Sequence, residues 1–247
     1  MNPAYLQVSS QIWSDEERVE NSHAGIYVAV SGNTGSGKSA LIDAVVRLAQ
    51  QRNIPVIGVN EREIHHPYLR LMFSDPGSFA FPIQVNFLLQ RYLVLLRHLK
   101  LGHVVIIERS HLDDEMFVRE HVDAGIISAK QYAAYQLLAE VLHEAMPLPD
   151  IMVLLHASPD LSLKRIRQSE SSKERPEEFP NESAKEQWVK RWYRLYTEFH
   201  ENIRRRSKTN VAFGRVALLE REASVPTEEV ATQILAMIES RRERESG

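Results

Sequence analysis

Short apolar runs alternate along this chain with longer segments of helical period, which is the signature of a parallel sheet whose strands are joined by crossover helices. Runs at 26–30, 55–59, 104–107, 151–155 and 211–219 are predicted as strands, each short, rich in aliphatic residues and flanked by turn-forming or polar positions. Between them, apolar residues recur at helical spacing over 40–50, 79–99, 129–145, 161–167, 184–206 and 227–242. Pro147 and Pro149 punctuate the approach to the fourth strand, and Pro226 with Thr227 opens the last helix, with Glu228 and Glu229 in its first turn. The expected fold is therefore α/β in three layers, a five-stranded parallel sheet flanked by helices, forming a single domain over 25–247. Residues 1–24 are polar and acidic and read as an extension outside it. The stretch 169–181 is polar and irregular, and a loop of that length is expected to serve as a lid.

Composition narrows the setting. At 247 residues with 43% hydrophobic and 26% charged residues, the chain is ordinary globular material, long enough for one large core. A formal charge of −3 argues against a general nucleic-acid binder. The absence of cysteine excludes disulfides, thiolate metal sites and a cysteine nucleophile, and it fits a reducing cytoplasm. No run reaches membrane-spanning length and the N-terminus lacks signal-peptide character, so a cytoplasmic protein with no membrane partner is expected.

One segment carries explicit chemistry. Between the first strand and first helix stand Gly32, Asn33, Thr34, Gly35, Ser36, Gly37, Lys38 and Ser39, the pattern of a P-loop in its required strand-to-helix context. Its glycines let backbone N–H groups turn inward around an anion while the helix N-terminus points at the same place. Lys38 is placed to reach the β/γ-phosphates and Ser39 to ligate Mg²⁺, so ATP and Mg²⁺ are the expected cofactors. The sheet is thereby of the P-loop NTPase type. The third strand ends in Glu108, Arg109 and Ser110, which delivers a carboxylate and a guanidinium to the carboxyl edge where open α/β sheets bind ligands. Glu108 is the candidate second metal ligand, and Arg109 offers a fixed fork to charged groups.

From about Gly25 to Phe199 the chain resembles the deoxynucleoside kinases, the bacterial members above all. The resemblance rests on ordered blocks: Glu61 with His66, Pro67, Tyr68 and Leu69; Asp75 and Pro76; Phe79, Ala80, Phe81 and Gln84; and Phe87 through Tyr92. Further on come Glu108, Arg109 and Ser110 with Asp114 and Phe117, then His156, Ala157, Ser158 and Pro159 leading to Leu163, Lys164, Arg165 and Ile166. It implies a lid-bearing kinase that phosphorylates the 5′-hydroxyl of a small-molecule deoxynucleoside. Glu61 would be the general base, with Glu63 as local competitor, and Arg109, Lys38 and Arg165 would assist transfer. Gln84, Phe87, Arg91 and Asp114 would contact the base, and on a helix the first three share one face. In the family an Arg–Asp pair at these positions goes with purine or cytosine substrates rather than thymine, which makes a purine deoxynucleoside the leading expectation. Glu174 stands where a sugar-contacting glutamate is expected.

Two departures qualify the match. Ser169, Glu170 and Ser171 replace lid arginines, and Phe73 replaces a tyrosine that bonds the sugar 3′-hydroxyl. A thymidylate-type nucleoside monophosphate kinase and a nucleotide-binding regulator with decayed activity are the competing expectations. His65 and His66 do not share a helix face and suggest no metal site. Trp188, Trp192, Tyr193, Tyr196 and Phe199 read as a buried stripe, and Arg204, Arg205 and Arg206 as a charged helix end. A homodimer is expected through 93–99 and 132–141.

Overall fold

The computed structural model describes residues 25–61, 69–173, 179 and 181–246. In chain order the elements are β1 (Ile26–Gly32), α1 (Lys38–Gln51), β2 (Val56–Val59), α2 (Leu69–Ser74), α3 (Pro76–Lys100), β3 (Val104–Glu108), α4 (His111–Asp123), α5 (Ala129–Ala145), β4 (Ile151–His156), α6 (Pro159–Ser171), α7 (Glu182–Thr209), β5 (Ala217–Glu222) and α8 (Thr227–Ser246). The five strands pair in parallel in the order β2-β3-β1-β4-β5. Since the chain leaves central β1 for the far edge and returns to β3 and later β4, the sheet changes direction of growth beside β1. That is where an open α/β sheet leaves a crevice.

Strand alternation sorts the core into two layers. Ile26, Val28 and Val30 of β1, with Val104, Ile106, Ile151 and Val153, pack against Leu41, Ile42 and Val45 of α1 and Ile234, Leu235 and Ile238 of α8. Tyr27 and Ala29, with Val105, Ile107, Met152 and Leu154, face the other way, toward Ile83, Phe87 and Leu95 of α3 and Ile203 of α7. Every residue of β1 is buried, so both faces must be apolar, which is why the strand reads as a continuous run rather than an alternation. Each fully buried aliphatic side chain contributes about 1.5–3 kcal/mol. A third cluster joins Ala80 and Leu88 of α3 to Val118 of α4 and Tyr135 of α5. By length and apolarity α3 passes as a membrane span, yet Ile83, Phe87 and Leu95 pack on the sheet side and Leu88 under α4 and α5.

Three expectations are corrected. The last strand begins at Ala217 rather than 211, because Val211 is 83% exposed and Phe213–Arg215 forms a 3₁₀ turn. Phe213 is buried there with the Arg206 guanidinium 3.7 Å above its ring, so its apolarity serves a plug and not a strand. Residues 169–171 are not loop but the last turn of α6. Ser169 and Ser171 donate to the carbonyls of Ile166 and Gln168, and Glu170 pairs with Lys185 of α7 at 2.5 Å, which reconciles polar residues with the helix. Finally, α2 was not foreseen, and α3 starts earlier than 79, where Asp75 accepts from the Ser78 amide and Pro76 opens the first turn.

Candidate active site

The P-loop takes the shape its glycines permit. Gly35 and Gly37 have φ of 77° and 93°, a region open to them at little cost, and Gly37 caps α1. Asn33 straps the loop to the end of β4: its amide donates to the Ala157 carbonyl at 2.9 Å and accepts from the Ala157 N–H at 3.2 Å. Arg165 of α6 is a second strut, donating to the Gly35 carbonyl and, beyond β5, to the Ala223 carbonyl, both at 2.8 Å.

Lys38 is 5% exposed and folds back on the loop, donating to the carbonyls of Gly32 at 2.9 Å and Asn33 at 3.2 Å, with Glu108 at 3.6 Å. Burial pushes its ammonium below the ordinary range, opposed chiefly by the Glu108 carboxylate. For Glu108, burial alone would raise the carboxyl. Lys38, Arg109, the Ser39 hydroxyl and the Glu61 amide outweigh it and hold the group below the usual carboxylate range. Ser39 Oγ donates to Glu108 Oε2 at 2.9 Å. This hydroxyl–carboxylate pair, beside a phosphate cradle, is a hard oxygen donor set that fits Mg²⁺.

Arg109 turns the chain from β3 into α4 with φ 65°, a left-handed conformation that costs a non-glycine residue of order 1 kcal/mol. The surroundings hold it there: its amide donates to the Val30 carbonyl at 2.8 Å. Arg91 of α3 donates to the carbonyls of Glu108 and Arg109. The Arg109 guanidinium pairs with Glu61, whose own amide donates to Glu108 Oε2 at 3.2 Å. Its other side lies 4.4 Å over the Phe117 ring, which is stacked on Trp192 of α7 at 4.3 Å. Trp192 and Tyr196 are buried as the stripe predicts, while Tyr193 and Phe199 are only half-buried. Four residues from three segments, Lys38, Glu61, and the adjacent Glu108 and Arg109, thus meet at the carboxyl edge of the sheet.

Beside them, Arg91 and Asp114 form a two-pronged pair at 2.9 and 3.1 Å, with Arg91 1% exposed. Asp114 raises the Arg91 guanidinium against the effect of burial. Gln84 and Phe87 lie on the same buried face of α3. Among the described residues, the Gln84 amide makes a long 4.0 Å contact to Met72 Sδ of α2. Phe73, also on α2, stands 51% exposed. Glu174, Glu63, His65 and His66 lie outside the described residues. Arg167 of α6 is held on the outside by Glu182 and Glu186 of α7.

A family model described as deoxynucleoside kinase matches residues 28–182. The chain belongs to the deoxynucleoside kinase family. It is 26% identical over 181 residues to a deoxyadenosine kinase of Dictyostelium discoideum, covering 73% of this chain and 69% of that one. It is 29% identical over 180 residues to a deoxyguanosine kinase of Lactobacillus acidophilus, covering 70% and 75%. A solved structure of deoxyadenosine kinase from M. mycoides with bound dCTP superimposes with a TM-score of 0.63 at 19% identity, over 86% of this chain and 98% of that one, which shows the shared fold. The kinase is thus an enzyme of deoxynucleoside phosphorylation, the leading one of the three expectations.

Sequence reasoning missed Ser31, Asp113 and His200 as parts of the site's frame. Ser31 carried a signal, as the one polar residue in the fully buried β1. Asp113 is one of two acids in the first turn of α4, yet it is fully buried.

Proposed function

We propose that this kinase transfers the γ-phosphoryl group of ATP to the 5′-hydroxyl of a purine deoxynucleoside, with Glu61 as general base. The observation that carries the reading is the convergence of Lys38, Glu61, Glu108 and Arg109 on one point. Phosphoryl transfer is mostly positioning and charge stabilisation, and this set supplies both. Lys38 is released from its loop carbonyls to the phosphates, while the P-loop amides cradle them. Mg²⁺, held by Ser39 and Glu108, supplies neutralisation of phosphate charge when bound. Arg109 orients Glu61 through their ion pair, aiming the carboxylate at the hydroxyl it deprotonates. Arg165, with its donors on main-chain carbonyls, acts chiefly by holding the loop.

The purine preference draws on the Arg91–Asp114 pair and on Gln84, whose amide has both a donor and an acceptor to present to a base edge. Phe87 walls the base and Phe73 borders the sugar. The names of the relatives, deoxyadenosine and deoxyguanosine kinases, point the same way. We further propose a cytoplasmic homodimer acting in nucleotide salvage. Leu89 and Leu93 of α3 with Leu137 and Val141 of α5 are exposed apolar residues suited to such an interface. The test is an assay of the purified protein with Mg–ATP against each common deoxynucleoside, alongside Glu61→Gln. Deoxyadenosine or deoxyguanosine is expected as best substrate, with turnover lost in the variant and ATP binding kept. A pyrimidine preference would overturn the base assignment, and full turnover in Glu61→Gln the base catalyst.

A further inference from the structure

Strand alternation places the last polar residue of each central strand on a definite face. Glu108 continues the Val104 and Ile106 face toward α1. Ser31 continues the opposite face of β1 after Tyr27 and Ala29, and His156 does the same on β4 after Met152 and Leu154. That face is covered by α7, and from it His200 enters with no exposed surface. Ser31 Oγ donates to Asp113 Oδ1 of α4 at 2.6 Å and lies 3.1 Å from His200 Nε2. His200 Nδ1 is 3.3 Å from His156 Nε2.

The proton count orders this chain. The single Ser31 hydroxyl proton goes to Asp113, whose other oxygen already accepts the Ser110 N–H and O–H at 2.9 and 2.6 Å. With that proton given to Asp113, Ser31 Oγ is left to accept from His200, which fits the tautomer with its proton on Nε2 and an Nδ1 that accepts from His156. Burial, then His156, Arg204 and Lys38, push the His200 imidazole down to about 3, so it stays the neutral donor this order requires.

The placement of the network bears on the phosphates. Asp113 grips the ends of both β1 and β3, through Ser31 and through Ser110, the neighbour of Arg109. Gly32, next after Ser31, supplies a carbonyl to Lys38 and is wedged on its other side, where an added Cβ would meet the Leu155 carbonyl at 2.6 Å. A buried polar trio is a poor device for stability alone, since apolar residues of equal volume serve as well.

We propose that His200 is a positioning residue for the triphosphate-binding loop: from α7, it holds Ser31 in place and so sets the strand end from which the P-loop springs. This rests on the kinase reading of that loop. The test measures Mg–ATP affinity by calorimetry on the full chain, then KM for ATP and for the deoxynucleoside separately. His200→Leu is expected to weaken Mg–ATP binding and raise KM for ATP about tenfold, a loss of one hydrogen-bonded anchor, while KM for the deoxynucleoside stays within about twofold. His200→Gln, whose amide N–H replaces Nε2–H, restores most of the loss. Ser31→Ala, a smaller change, repeats the ATP-selective effect and serves if His200→Leu does not fold. Equal changes in both KM values, no rescue by Gln, or a fall in melting temperature with ATP affinity intact in Ser31→Ala would overturn the proposal. If the unaltered protein phosphorylates no deoxynucleoside, the kinase reading fails, and the calorimetric comparison still decides the role of His200.

Discussion

The phosphate end of this site and the end we propose for the nucleoside are built from different materials. At the phosphate end, backbone groups do most of the holding: Gly32, Asn33, Gly35 and Ala157 present carbonyls or amides to Lys38, Arg165 and Asn33. At the nucleoside end, side chains from α3 and α4 do it, above all the buried Arg91–Asp114 pair, with Gln84 left lightly engaged. Backbone cradles suit a ligand whose oxygens are everywhere alike, whereas side-chain pairs suit a base whose edge must be discriminated. Glu61 and Arg109 sit at the seam.

The seam should break most sharply. Glu61→Gln is expected to lower kcat by about 10²–10⁴-fold, the range for a lost general base, with Mg–ATP affinity unchanged by calorimetry. Weakened ATP binding there would mean that the two ends are not separable.

Next comes the nucleoside end. Arg91→Met leaves the Asp114 carboxylate buried without its partner and frees the carbonyls that pin left-handed Arg109, so a loss of about 3–5 kcal/mol in urea unfolding is expected. The double change with Asp114→Leu should recover much of it. If the single change costs under about 1 kcal/mol, the pair is not the clamp described.

Acid acts on both ends. The imidazoles of His111 and His200 are pushed from 6.5 down to about 3, burial first, with His143 next for His111 and His156 for His200. The unfolded chain then binds more protons than the folded one between those values, so stability falls as pH drops through that window. The slope is on the order of 1 kcal/mol per pH unit for each histidine. Urea midpoints at pH 7 and pH 5 should show it, and His111→Gln should flatten the slope. The smallest effect belongs to the outer surface, where Arg167→Ala, removing exposed ion pairs, should leave the unfolding midpoint unmoved at low and high salt.

How much of this was legible beforehand follows from range. The glycine spacing of residues 32–39 specifies a local backbone path, so the P-loop could be read directly. Glu108 at a strand end and Gln84, Phe87 and Arg91 on one helix face were likewise matters of period. Phe213 misled the strand assignment because apolarity alone does not say whether a residue lines a sheet or plugs a turn. Ser169 and Ser171 misled the lid boundary because hydroxyls can bond back to their own helix.

By itself, then, the amino-acid order determined the alternation of strands and helices, the phosphate loop and the face on which each candidate side chain stands, since all of these depend on residues a few positions apart. Tertiary structure alone decided that Glu61 meets Arg109 across 48 positions, Ser31 meets Asp113 across 82 and His200 reaches Ser31 across 169. Those meetings depend on which strands lie side by side and where α4 and α7 dock, and that is settled by burying both faces of the sheet at once.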